Sequence, residues 1–117
     1  MIGLSSHTRV YLALGATDMR KEINGLSVLV EAQLALDAFS GHLFVFCNRR
    51  RTTLKILFWD RNGFALYQKR LEKDRFHWPQ NREEVMEVTT RELSFLLEGL
   101  DLKSVRPHRE LRYATLI

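Results

Sequence analysis

One cysteine and two prolines in 117 residues leave little material for cross-links or stiff linkers. Cys47 by itself excludes an internal disulfide and any multi-cysteine zinc site. The six glycines are scattered singly, so there is no glycine-rich loop to cradle a phosphate. No stretch approaches the ~18–20 continuous apolar residues of a membrane span. Met1 to Thr8 lacks a basic region leading into an apolar run, so no secretory signal is expected and a cytoplasmic location is. Internal repeats and low-complexity tracts are missing too. What is present is 45% hydrophobic, 10% aromatic and 27% charged residues, enough apolar material for a core and too much for wholesale disorder. The length fits one domain.

Net charge is +4, and its distribution says more than its total. Leu43 to Trp78 carries nine Lys/Arg against three Asp/Glu, whereas Pro79 to Asp101 carries two against six. Leu102 to Ile117 is basic again, with four against one. Segregation of this kind points to a polyanion or an acidic protein surface as partner. A soluble domain with arginines on its solvated face would show the same totals.

Periodicity divides the chain into short elements. Arg9 to Leu14 alternates and reads as a strand ended by Gly15. Thr17 or Asp18 then offers an N-cap, and Met19, Ile23, Leu26, Val30 and Leu34 recur at helical spacing, with Leu29 widening the stripe. Asn24-Gly25 is the weak point of that helix. A turn at Ser40-Gly41 precedes Leu43 to Cys47, a short apolar run expected to be a strand buried on both faces. Asn48 to Thr53 is a polar turn, Leu54 to Trp59 a strand, and Asp60 to Gly63 a type I turn with a left-handed glycine leading into Phe64 to Leu71. Asp74 turns the chain into Phe76-His77-Trp78, where Pro79 stops pairing, and a short strand over Val85 to Val88 is possible. Thr89 and Glu92 form a capping box ahead of Leu93, Leu96, Leu97 and Leu100. The expectation is a single α+β domain in the order β-α-β-β-β-(β)-α on a mainly antiparallel sheet of four to five strands. Residues 1–8 form an extension, 9–101 the domain and 102–117 a basic tail.

The candidate binding residues cluster in the basic middle. Arg49, Arg50 and Arg51 occupy a tight turn whose side chains splay into solvent, where guanidinium groups can take phosphates bidentately. Pairing Asp60 with Phe64 places Trp59 opposite Ala65, Leu57 opposite Tyr67 and Lys55 opposite Lys69. That register puts Lys55, Leu57, Trp59, Tyr67 and Lys69 on one face, with Ile56, Phe58 and Leu66 on the other. Opposed lysines repel, a cost that a bound phosphate offsets, and aromatics beside cations suit stacking on bases. The same aromatics equally suit a second buried layer under the first helix, and the residues leave the two open. With Arg70, Lys73 and Arg75 these positions outline a candidate nucleic-acid surface. Catalytic patterns are poor. His7, His42, His77 and His108 lack ligand spacing, Cys47 has no evident partner base, and Asp18, Asp60 and Glu72 form no acid/base pair of recognisable spacing.

Read in order, the motifs carry a family resemblance. They are Arg9-Val10-Tyr11-Leu12; Thr17-Asp18-Met19-Arg20-Lys21 with Gly25-Leu26; and Phe39-Ser40-Gly41-His42-Leu43-Phe44-Val45-Phe46. Leu54-Lys55-Ile56-Leu57-Phe58-Trp59-Asp60 follows, with Gly63-Phe64, Lys69-Arg70-Leu71-Glu72, Arg75-Phe76, Trp78-Pro79 and Leu96-Leu97-Glu98-Gly99. Together they resemble the TnpB-type accessory proteins of the bacterial IS-sixty-six insertion sequences, which differ from the RNA-guided nuclease sharing the TnpB name. The match runs from about Arg9 to Asp101. Ala16 departs from a usual proline, and Glu22-Ile23 from a common glycine and aromatic. The resemblance implies participation in DNA transposition beside a separate transposase that carries the strand-transfer chemistry. It supplies no catalytic residues.

The resulting expectation is a non-catalytic accessory protein that binds DNA through the basic hairpin surface. The alternative is an adaptor docking on the transposase, or another element-encoded protein, without touching DNA. No cofactor, metal, small-molecule ligand or membrane is expected.

Overall fold

The computed structural model describes residues 5–80 and 82–104. The elements are β1 (Val10–Ala16), α1 (Ile23–Ala32), β2 (Leu43–Cys47), β3 (Thr53–Asp60), β4 (Gly63–Arg70), β5 (Val85–Val88) and α2 (Thr90–Leu97). A 3₁₀ turn at Leu102–Ser104 follows. The strands form one five-stranded sheet in the order β4-β3-β2-β1-β5. Only β1 and β2 are parallel, and α1 is the crossover that a parallel pair requires. The expected mainly antiparallel α+β architecture is therefore the one adopted, including the short fifth strand. The expected basic tail lies, beyond Ser104, outside the described residues, as do His108 and the first four residues.

Both faces of the sheet are covered. On one face Val10, Leu12, Leu43, Val45, Cys47, Leu54 and Ile56 pack against Leu93 and Leu96 of α2, with Phe76 and Trp78 filling the rest. On the other, Ala13, Phe44, Phe46 and Leu57 pack against Leu26 and Val30 of α1. Every residue of β2 is buried, because the central strand alternates between two cores. Phe76-His77-Trp78 adds no strand; its two aromatics are buried, and Trp78 Nε1 donates to the Leu14 carbonyl at 3.3 Å.

The helix ends divide into one expected and one not. Thr89 and Glu92 form the capping box of α2, and Gly99 (φ 84) closes it, with the Leu100 N–H donating to the Phe95 carbonyl at 2.9 Å. Leu100 thus lies past the helix and 43% exposed, outside the expected apolar stripe. The first helix starts later than Thr17 or Asp18. Asp18 accepts from the Arg20 N–H at 2.9 Å in a separate turn, and α1 begins only after Glu22. Asn24-Gly25 falls in its first turn and breaks nothing. A side chain at Gly25 would approach the Lys21 Cβ to 3.2 Å.

The β3–β4 hairpin is one residue out of the expected register. Asp60 pairs with Gly63, Trp59 with Phe64, Leu57 with Leu66 and Lys55 with Gln68. The turn has two residues, with Arg61 at φ 59 taking the left-handed position, and the Asn62 N–H reaches the Asp60 carbonyl at 2.6 Å. Since side chains alternate, the shift sends Lys55, Trp59 and Phe64 to the α1 side and Tyr67 and Lys69 to the α2 side.

Candidate nucleic-acid interface

The β2–β3 turn is built around Asn48. Its Oδ1 accepts from the Thr52 N–H at 2.9 Å and the Thr53 N–H at 3.1 Å, and its backbone carbonyl accepts from the Arg51 N–H at 3.0 Å. This network holds Arg51 at φ 62 and leaves Arg49 and Arg50 exposed at the apex. The segment after β4 docks on the same turn. The Leu71 N–H donates to the Thr52 carbonyl at 2.9 Å and the Phe76 N–H to the Arg51 carbonyl at 2.7 Å. Burial of Phe76 anchors this strap, and Asp74, at φ 64, bends it.

One end of the sheet therefore gathers Arg49, Arg50, Arg51, Arg70, Lys73 and Arg75. Arg49, Arg50, Lys73 and Arg75 are exposed and make no ion pair with a described carboxylate. Arg70 meets only Glu72, at 3.5 Å and in solvent, where such a pair contributes about 0–1 kcal/mol. Between the strap and the C-terminal end of α2 runs an open groove of about 540 Å³ lined by Lys73, Arg75, His77 and Glu98. The parallel arrangement brings the end of β1 to this same end of the molecule. The Thr17 N–H donates to the Cys47 carbonyl at 2.9 Å, and the following loop presents Lys21 and the Arg20–Asp18 pair, joined at 2.7 Å. Arg20 holds the Asp18 carboxyl down at about 2. Sequence reasoning missed Arg20 and Lys21, because only the parallel pairing of β1 with β2 brings the loop that carries them to the same end of the sheet as the arginine turn.

Four expected site residues fall outside this basic end or turn inward from it. Lys55 is 1% exposed, and its ammonium donates to the Met19 carbonyl at 2.9 Å, the Lys21 carbonyl at 2.9 Å and Glu22 Oε1 at 3.0 Å. It is the internal anchor of the loop before α1. Lys69 is half-buried and donates to the Leu97 carbonyl at 2.7 Å, at the negative end of α2. Trp59 and Tyr67 point to opposite faces, so they form no joint stacking platform with the lysines. Trp59 also lies at the far end of the hairpin, ~20 Å along β3 from the arginine turn. There it packs edge-on against Phe39 and Phe64, with centroids 5.1 and 5.0 Å away.

The other chemistry-bearing groups remain apart. Burial pushes the Cys47 thiol up to about 12 although Arg51 pulls it down, so it is a structural thiol. His42 accepts from the Arg9 N–H at 3.0 Å through Nδ1. Among the described residues no three His, Cys, Asp or Glu side chains converge as metal ligands, and no helix is long and apolar enough to cross a membrane.

Three comparisons bear on this arrangement. The family model described as IS66 Orf2-like protein matches residues 8–107. The chain is 37% identical over 101 residues to the uncharacterized protein y4hO of Sinorhizobium fredii, covering 86% of this chain and 88% of that one. It is 35% identical over 106 residues to the uncharacterized protein y4jC of the same organism, covering 91% of each. No solved structure matches significantly.

Proposed function

This chain belongs to the IS66 Orf2-like family, the accessory proteins of insertion-sequence transposition, and from that premise we propose that its basic sheet end binds DNA through the phosphate backbone. The observation that carries the reading is the docking of the 70–76 strap on the arginine turn. It assembles six basic side chains from two separate segments on one end, where the nearby carboxylates are Glu72 and Asp74 of the strap, Glu98 across the groove, and Asp18, already paired with Arg20. Guanidinium groups on a hydrogen-bonded turn present planar donors to phosphate oxygens with little backbone entropy left to lose. Lys21 extends the same charge across the end of β1. The stacking contribution expected of Trp59 and Tyr67 drops out, so the interface reads backbone charge and not bases.

The test is fluorescence anisotropy of a labelled element-end duplex and a scrambled duplex at low and physiological salt. Binding should weaken steeply with salt through counterion release. The Arg49→Ala/Arg50→Ala/Arg51→Ala variant should keep its circular dichroism and flatten the log–log salt slope by about 0.9 for each phosphate it no longer neutralises. Unchanged binding by this variant would overturn the surface. Preference for the element end would add shape readout to the charge term.

The second reading, an adaptor for the transposase, draws on the opposite charge of the other sheet edge. Glu84 and Glu87, exposed on and beside β5 with Arg9 near Glu87, give that edge a predominantly acidic character suited to a basic partner surface. Absence of binding to either duplex at low salt would favour it, and a pull-down with the transposase would then test it.

A further inference from the structure

We infer that β4 is a dimerisation strand that pairs antiparallel with β4 of a second copy, with a two-fold axis through Tyr67. The sheet has two edges, and they differ. β5 is four residues long, preceded by Glu83-Glu84 and carrying Glu87 itself, a blunted edge. β4 is eight residues long, without proline, and its register against β3 runs unbroken from Gly63 to Arg70. Among the described residues β3 is the one strand that pairs with β4, and such an edge offers a row of outward backbone groups to another chain.

The ladder phase decides which groups are free. In a two-residue hairpin the pair beside the turn, here Asp60 and Gly63, exchanges hydrogen bonds. Leu71 continues that phase by donating to Thr52. The odd-numbered residues of β4 therefore bond to β3, and Phe64, Leu66, Gln68 and Arg70 direct N–H and C=O outward. An antiparallel copy must pair even residues with even residues. Of the registers that do so, only the one centred on Tyr67 uses all four, joining Phe64 to Arg70 and Leu66 to Gln68 of the other copy.

The side chains agree with this register. Arg70 falls beside the Phe64 ring and Lys69 opposite Ala65, so the strand's two cations meet apolar partners and never each other. Tyr67, 37% exposed on the α2 side, falls opposite its own copy in a non-hydrogen-bonded pair, the closer kind. Strand self-complementarity of this sort gives an isologous, closed dimer.

Light scattering across a concentration series should give the mass of two chains. Gln68→Pro removes one outward N–H and none of the β3 ladder, and should yield a folded monomer. Tyr67→Cys should oxidise to a covalent dimer, since opposed Cα atoms in such a pair lie ~4.5 Å apart, within disulfide reach. Ala65→Cys, which faces Lys69, should not. Cys47 is fully buried and does not compete. A monomer at all concentrations, a dimer surviving in folded Gln68→Pro, or cross-linking by Ala65→Cys in place of Tyr67→Cys overturns the inference. Should Gln68→Pro fail to fold, the cysteine pair decides alone.

Discussion

Lys55 carries an ammonium group into the space between the sheet and the loop that precedes α1. A lysine is tolerated with 1% exposure only because all three of its donors are used. Two of its acceptors are backbone carbonyls, so its work is to hold the loop at residues 17–22 against the sheet. Replacing it with methionine keeps the apolar stem and strands those carbonyls, for an expected loss of about 1–3 kcal/mol in urea unfolding. Glu22→Gln should cost much less, about 0–1 kcal/mol, since the Glu22 side chain is 70% exposed. Equal losses would mean that the ion pair, and not the carbonyls, carries the effect. Cys47 makes a second prediction at this scale. The native thiol keeps its proton up to about 12, whereas an unfolded one loses it near 9.0. Its contribution to stability is whole below pH 9 and declines as pH rises toward 12. The urea midpoint of the native chain should therefore fall more steeply over that window than that of Cys47→Ala. Cys47 should also resist alkylation until the chain unfolds.

Among the elements, the β3–β4 hairpin shows how much follows from one residue of register. With side chains alternating every residue, a two-residue turn at Arg61-Asn62 in place of a three-residue one moves all of β4 to the other face. Trp59 then joins Phe39 and Phe64 in an aromatic cluster instead of standing beside Tyr67 and Lys69. Trp59→Ala should cost roughly 2 kcal/mol, below the full core value because the ring is half-buried. DNA affinity should not change, since the cluster sits at the end opposite the arginine turn. Weaker binding by a stable Trp59→Ala protein would extend the interface along the hairpin.

At the scale of the whole molecule, α1 and α2 pack on opposite faces of the sheet and leave its ends and edges open to partners. The basic end and the β4 edge meet at Arg70. In a dimer joined through antiparallel β4 strands, the two basic ends point in opposite directions along the strand axis. Such a dimer holds two duplexes in preference to one long site. A bead-bound duplex should consequently retain a second, free duplex in the presence of the native chain, and Gln68→Pro should bind one duplex without retaining another. Retention by the folded proline variant would assign the bridging to some other surface.

Elements whose signals are local were legible in the chain before any fold was known. The Thr89–Glu92 capping box, the continuous apolar run of β2, the arginines of the Asn48 turn and the family motifs all depend on neighbours within a few residues. Hydrogen bonds and side-chain spacing over that range are set by the chain's own geometry. The exposure of Arg49 and Arg50 was legible for the same reason. Tertiary structure decided everything that depended on which segments meet. The docking of Phe76 on Arg51, the seating of the Lys21 carbonyl on the buried Lys55 and the capture of Lys69 by α2 each join residues far apart in the chain. Burial and strand order, not local propensity, supply the free energy for those contacts, and a single sequence does not display them.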